Sequence, residues 1–122
     1  MQLDKWQAIH SFWSSFNLTA YDEASVPDGA QLPYITYTAD IDSLDNTIIL
    51  NADVWYQSHS WEEISNKVDE IDAQLSNNGV RIQCDEGYLW IVRGSPFAQR
   101  INEENSEIKR IYVNTLAEFL TN

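Results

Sequence analysis

Basic residues are scarce in this sequence: seven Lys and Arg stand against 19 Asp and Glu, which gives a formal net charge of −12 at pH 7. Proteins that grip DNA gain affinity from Lys and Arg side chains that displace counterions from the phosphate backbone. The shortage of such residues therefore argues against direct DNA binding. Two interpretations stay open: acidity that keeps the protein soluble, and a surface that faces nucleic acid without holding it.

Cysteine is nearly absent, since Cys84 is the single one, and a disulfide within the chain is excluded. Cys84 ends an alternating run, residues 80–84, which predicts a packed thiol rather than a reactive one. The two histidines, His10 and His59, have no metal-binding spacing, because zinc needs three or four imidazole or thiolate ligands. The four glycines form no phosphate-binding loop. We therefore expect neither a metal nor a cofactor.

Long apolar runs are missing as well, because none approaches the roughly 20 residues that span a bilayer. The N-terminus also lacks a basic region followed by an apolar one. We therefore expect a soluble protein made inside a cell, without a membrane partner. At 122 residues, 43% of them hydrophobic, the chain is long enough for one domain with its own core, and we assign residues 1–122 to it.

Two stretches have the spacing of amphipathic helices. In residues 60–75, apolar side chains recur every three or four positions, and Ser60 with Glu63 predicts a capping box at the start. Asn77, Asn78 and Gly79 are predicted to end this helix. A first helix is predicted over residues 3–16, with Asp4 near its start. Its predicted apolar face consists of Leu3, Trp6, Ile9, Trp13 and Phe16.

Five strands are predicted from alternation and turn residues. Residues 34–39 and 48–56 form one hairpin, residues 80–84 and 88–93 form a second one around a turn at 85–87, and residues 108–119 form the last strand. Residues 17–33, which contain Pro27, Gly29 and Pro33, are predicted to be a loop.

The resulting order, α-β-β-α-β-β-β, predicts an α+β fold: a single, mostly antiparallel sheet with both helices packed on one face. The other face would carry Ile49, Trp55, Leu89 and Ile91, which are too apolar for a face left in water. Either a neighbouring subunit covers this face, or the assignment of faces is shifted by one residue, which would exchange the side chains across the sheet.

Residues 93–107 are predicted to be a long loop between two strands that a short turn would be enough to join. Such extra length often serves a function. We therefore predict a contact with another subunit or partner, with Phe97 as its anchor and an arginine pairing with nearby carboxylates. The predicted contact residues are Arg93, Ser95, Pro96, Phe97 and Arg100. The alternative is an irregular loop without a function, whose Phe97 packs against the sheet.

Catalytic residues are not predicted. The carboxylates fall mainly on predicted loops and polar helix faces, which is typical of a solvated surface rather than of a glycosidase-like pair. A small hydrolase would need a convergent pocket with an acid and a base, and the sequence offers no anchor for one. We therefore expect a protein that is not an enzyme.

Four segments and the aromatic first helix resemble small tail proteins of phages and prophages of Gram-positive bacteria. The segments are VPDGAQLPYITY at 26–37, WYQSHSWEEI at 55–64, GYLWIVRGSPFAQ at 87–99 and KRIYVN at 109–114. Among these proteins the chain looks most like the tail terminator, or tail completion, family of long-tailed phages. The similarity extends over nearly the whole chain.

This resemblance implies a structural virion protein at the head-proximal end of the phage tail, assembled in the host cytoplasm. It would form a homo-oligomeric ring, expected to have six subunits, on the last ring of the tail tube, and it would end tube growth. Its implied partners are the major tail tube protein and the head–tail connector or stopper protein, while DNA passes an acidic lumen without specific binding. Two alternatives stay open: another head–tail joining or neck protein, and an acidic DNA mimic that inhibits a nucleic-acid enzyme.

Overall fold

The structure, a computed structural model, describes residues 3–41, 47–85 and 87–121. Two α-helices, six β-strands and one short 3₁₀ helix (Glu23–Ser25) occur in these residues. In chain order the elements are α1 (Lys5–Ser14), β1 (Thr19–Asp22), β2 (Tyr34–Ile41), β3 (Thr47–Gln57), α2 (Glu62–Leu75), β4 (Val80–Cys84), β5 (Gly87–Asn102) and β6 (Ile108–Thr121).

The six strands form one sheet in the order β1-β2-β3-β6-β5-β4. The pair β1–β2 is parallel and the other pairs are antiparallel, so the sheet is mixed. The α+β class and both predicted hairpins are confirmed. The predicted element order is wrong at β1, which lies in the stretch predicted to be a loop. A segment of four residues is too short for its alternation of apolar and polar residues to indicate a strand. β1 forms because it pairs with the edge of β2.

Both helices cover the concave face of the sheet, which is curled so that α1 contacts the two edge strands, β1 and β4. Helix α2 packs on the central strands β3, β5 and β6. The apolar stripe predicted for α2 is confirmed. The buried helical side chains that share this core are Ala8, Ile9, Phe12 and Trp13 of α1 and Ile64, Val68, Ile71 and Leu75 of α2.

The capping boxes differ from the prediction. Asp4 accepts a hydrogen bond from the Gln7 backbone N–H at 2.8 Å, and the Gln7 side chain accepts one from the Asp4 backbone N–H at 2.9 Å, so the box lies on α1. At α2 the N-cap is Trp61, one residue later than predicted, with no side-chain cap. Glu63 is then the second helical residue rather than the third, and the predicted box is wrong because its reciprocal bonds need the third position.

The loop predicted at residues 93–107 is confirmed only at 103–107, because β5 continues to Asn102 and pairs with β6 along most of its length. Arg93 pairs with Thr115, and the pairing resumes where Ala98 meets Val113. Four residues of β5 therefore lie opposite Asn114 alone, as an enlarged β-bulge. Gly, Ser and Pro in this segment indicate a loop locally, but the neighbouring strand β6 holds it in the sheet.

The predicted face is correct for β3 and wrong for β5. Leu89 and Ile91 are fully buried in the core, whereas Trp90 lies on the convex face. Of the two interpretations offered above, the one-residue shift applies to this strand. Residues 88–92 are apolar on both sides, so alternation cannot assign them to a face.

Cys84 is fully buried, as predicted for a packed thiol, and burial raises its pKa above the ordinary value. The turn predicted after it includes Glu86, which lies outside the described residues, as do residues 42–46 of the connection between β2 and β3. Gly87 lies so close to the Leu120 backbone that a Cβ atom would overlap with it. Within the described residues, none of the helices is long and apolar enough to cross a membrane.

Candidate interaction surface

The convex face of the sheet carries an apolar cluster toward one end of strands β3, β6 and β5. Ile49 on β3, Leu116 on β6 and Val92 on β5 are register partners in one row across three strands. Trp90 lies in the next row, opposite Glu118. Ile49 is 43% exposed, Leu116 40% and Trp90 38%. We call Ile49, Val92, Trp90 and Leu116 the convex patch.

Two shallow depressions adjoin the convex patch, and Leu116 lines both. The first, of about 170 Å³, lies between Trp90 and Glu118. The second, of about 230 Å³, lies between Ile49 and the bulge of β5 at Gly94 and Ser95. Either depression could accommodate a large apolar side chain from another molecule.

Trp90 is held in place by the end of α2. Its Nε1 donates a 2.8 Å hydrogen bond to the carbonyl oxygen of Asn78. Gly79, with φ +77°, lies against the indole, and a Cβ there would be 2.8 Å from the same nitrogen. The orientation of the indole ring is therefore fixed before a partner binds, so binding costs less conformational entropy.

The bulge of β5 forms one rim of the convex patch. Its carbonyl at Pro96 accepts a 2.9 Å hydrogen bond from Asn114 Nδ2 on β6. Gly94 fits against Asn114 so closely that a Cβ would lie 2.8 Å from the Asn114 Cβ. These contacts fix the bulge, and Ser95 and Pro96 are exposed on it.

The other residues predicted to form the contact lie elsewhere. Phe97 is half-buried and packs against the core, so it is not a projecting anchor. Arg93 lies on the concave side, where its Nε is 2.8 Å from Asp72 Oδ1. Arg100 is exposed, and its guanidinium is 4.8 Å from the ring centre of Trp61. The structure thus brings Ser95 and Pro96 to the convex patch and gives both arginines partners within the chain.

Sequence reasoning found Ile49 on the outer face but did not place Leu116, Trp90 or Val92 there. Residues 88–92 of β5 are apolar on both sides, so the sequence pattern does not show which of them face outward. It also missed the depression between β6 and the bulge, because that depression depends on the close contact of Gly94 with Asn114. A contact between segments distant in the sequence cannot be recognised from the local sequence pattern.

An aromatic and charged network covers the other end of the convex face. The rings of Tyr21 and Tyr34 are 5.5 Å apart, and those of Tyr34 and Trp55 are 6.4 Å apart. The Arg110 guanidinium lies 4.9 Å from the Trp55 ring centre. Its hydrogen bond to Asp53 raises the pKa of Arg110 further above its ordinary value, so the cation is permanent. Since carboxylates already pair with Arg110, this network has little capacity for an anionic ligand.

The outward side of α1 is the second surface with exposed apolar atoms, and Trp6 on it is 53% exposed. A shallow depression of about 560 Å³ lies along it. We call its lining residues, Leu3, Trp6, Gln7, His10, Ser11 and Ser14, the α1 surface.

The α1 surface contains a hydrogen-bonded chain of side chains. His10 Nδ1 is 2.9 Å from Tyr37 Oη, and His10 Nε2 is 3.3 Å from Ser14 Oγ. The serine and histidine have the spacing of a nucleophile and its base. However, Ser14 ends α1, where a helix presents carbonyl groups, whereas an oxyanion needs N–H donors. Among the described residues, no cluster of three His, Cys, Asp or Glu side chains is arranged to hold a metal ion.

Comparison with known proteins relates the fold to a virion structure. No protein-family model matches the sequence, and no curated protein matches it. A solved chain from the virion of a native gene transfer agent (GTA) particle is similar over 91% of this chain and 83% of that chain, with a TM-score of 0.55 and 17% sequence identity. At this identity the similarity establishes a shared fold.

Proposed function

We propose that this protein is a structural component of a phage-like virion that forms a ring, expected to be hexameric, on the end of the tail tube. The ring stops tube growth and offers a docking face to the head connector. The observation that carries the proposal is the shared fold with a chain of a virion particle, which extends over 91% of this chain. The resemblance of the sequence to tail terminators supports the finer role.

The convex patch supports a role in assembly. Four apolar side chains, three of them more than a third exposed, lie together on the convex face of the sheet. Clustered exposed apolar side chains of this kind mark contact surfaces, whereas scattered ones need no explanation. A ring requires two different surfaces on each subunit, so a protein of this kind has to expose apolar atoms when it is alone.

The charge of the chain supports the passage of DNA without binding. With 19 acidic and seven basic residues, a ring of several copies repels phosphate groups along its channel. Several of the basic groups are also occupied, since Arg93, Arg100 and Arg110 have partners within the chain. The proposed role is structural, and DNA passes the ring without being bound.

Within this proposal, the segment from Arg93 to Arg100 contributes to a contact with a neighbouring subunit or the tail tube. Ser95 and Pro96 are its contact residues, because they are exposed at the rim of the convex patch. Phe97 contributes indirectly, because it packs against the core and holds the bulge in position.

The test is deletion of the gene from the phage or prophage that carries it, followed by electron microscopy of the particles. We expect tails of uncontrolled length without heads, and joined particles of normal length when the wild-type gene is restored. Tails of normal length joined to heads would overturn the proposal. Tails of normal length that remain separate from heads would favour the alternative, a joining protein that does not limit tube growth.

Variants of the bulge refine the test. Ser95→Glu places a charge on an exposed position of the contact and is expected to impair rescue while the free energy of unfolding stays within about 0.5 kcal/mol. Gln83→Glu adds the same charge on the exposed edge strand β4 and is expected to rescue fully. Full rescue by Ser95→Glu would remove the bulge from the contact.

A further inference from the structure

The two exposed apolar surfaces lie on opposite sides of the molecule. Helix α1 packs its buried side onto the concave face, and Trp6 on its outward side is 53% exposed. Leu116 and Ile49 lie on the central strands β6 and β3 and point away from the core in the other direction. The chain thus carries one apolar surface at its helical side and a different one at its sheet side.

Both surfaces are poor in carboxylates, although the chain as a whole is strongly acidic. Among the described residues that line the two convex depressions, Glu118 is the one acidic residue. The residues that line the α1 surface contain none. By contrast, the neighbouring outward side of α2 carries Glu62, Glu63, Asp69 and Glu70.

This distribution favours a second copy of the chain as the partner. Two copies that each carry a charge of −12 repel one another, so they can approach only where carboxylates are few. The centres of protein interfaces are depleted of charged residues and enriched in aromatic ones, as both surfaces are here. A partner of opposite charge would instead be drawn to the acidic side of α2.

We propose that copies of this chain associate head to tail, with the α1 surface of one copy packed on the convex patch of the next. Trp6 enters a depression beside Leu116, next to the fixed ring of Trp90. The inference deepens the proposed function, on which it rests for the closure of these contacts into a ring. The contact itself requires only the two surfaces.

The contact joins unlike surfaces for a physical reason. Two convex sheet faces that meet would touch over a small area and leave water at the rim. A helix side that bears one projecting indole fits instead into the depression between Trp90 and Glu118, beside Leu116. Head-to-tail contacts form closed rings when the rotation between copies divides a full turn, and open filaments otherwise.

The test uses the purified full chain and measures its mass by analytical ultracentrifugation over a range of concentrations. Trp6→Glu adds a carboxylate to the α1 surface, and Leu116→Glu adds one to the convex patch. We expect each variant to weaken self-association by more than about tenfold relative to the wild type. Gln74→Glu, which adds the same charge on an exposed position of α2, is expected to assemble like the wild type.

Mixing the two variants separates head-to-tail association from all other arrangements. Trp6→Glu retains an intact convex patch, and Leu116→Glu retains an intact α1 surface, so together they can form one contact. We expect the mixture to give a dimer of one copy each and nothing larger. Circular dichroism and thermal unfolding of each variant confirm that it is folded, since both replaced side chains are exposed in the wild type.

Several outcomes would overturn the inference. If Trp6→Glu alone still forms dimers, the convex patches pair with each other; if Leu116→Glu alone does so, the α1 surfaces pair. A mixture that stays monomeric, or a wild-type chain that stays monomeric up to about 1 mM, would exclude the contact. Normal tails after gene deletion would overturn the proposed function but not this contact, so the two failures are distinguishable.

Discussion

Arg110 on β6 and Asp53 on β3 are diagonal neighbours on the convex face, joined by a 2.9 Å hydrogen bond from Arg110 Nε to Asp53 Oδ1. Asp53 is only 6% exposed, although its side chain lies on the outer side of the sheet. Glu103 accepts a second hydrogen bond from Arg110 Nη1 at 3.2 Å. This network holds one end of the convex face rigid, and the convex patch lies at the other.

Replacing Arg110 with methionine is expected to lower the free energy of unfolding by about 2 kcal/mol. The methionine keeps the aliphatic stem but leaves the Asp53 carboxylate with little water and without its cation. Urea unfolding measures the change. Arg81→Met, at an exposed position of β4 where the arginine lies over Tyr88, is the matched control and is expected to cost much less. Equal effects of the two substitutions would contradict a special role for the Asp53 pair.

Gly79→Ala is expected to cost about 3 kcal/mol of unfolding free energy. Gly79 has φ +77°, and a Cβ there would lie 2.5 Å from the Ile91 carbonyl oxygen and displace Trp90. The same substitution should weaken self-association, because Trp90 belongs to the convex patch. Gly29→Ala serves as the control, since nothing lies within 4 Å of a Cβ at that position. A Gly79→Ala protein as stable as Gly29→Ala would show that this turn adapts without strain.

The two helix N-termini should respond differently to the loss of a side-chain oxygen. Asp4→Ala removes the reciprocal capping box of α1 and is expected to cost about 1 kcal/mol. Ser60→Ala removes only a 3.3 Å hydrogen bond from the Glu62 backbone N–H and is expected to stay within about 0.5 kcal/mol of the wild type. Chemical unfolding of both variants measures the difference, and a larger loss at Ser60 would reverse the assignment of the caps.

Stability is expected to fall as the pH rises above about 9. Burial, and then the charge of Asp85, raise the pKa of Cys84 above its ordinary value of 9.0. The unfolded chain therefore loses this proton first, and deprotonation favours unfolding. Burial also raises the pKa values of Tyr37 and Tyr56 above 10.0, so the decline should steepen beyond that pH.

Urea unfolding at a series of pH values from 7 upward measures this decline. Cys84→Ala is the control: it lowers the overall stability by leaving a small cavity, but its decline should begin nearer the pH at which the tyrosines titrate. Parallel curves for the wild type and Cys84→Ala would show that the thiol contributes nothing to the pH dependence.

The local sequence pattern was sufficient to predict an element and its buried face wherever one side of the element is apolar and the other is polar. The stripe of α2, the alternation of β3 and β6 and the buried position of Cys84 follow from spacing alone, because burial on one side imposes that period. The same alternation placed Ile49 on the outer face of the sheet. One of the four residues of the convex patch was therefore predicted from the sequence.

Contacts between distant segments decided the rest. β1 is a strand because β2 lies beside it, and the bulge of β5 belongs to the sheet because Asn114 of β6 holds it. Trp90 was assigned to the wrong face because its strand is apolar on both sides, and its contact with Asn78 depends on where α2 ends. The opposite placement of Trp6 and Leu116 exists only in the folded chain, since curling of the sheet around the helices sets the direction in which each points.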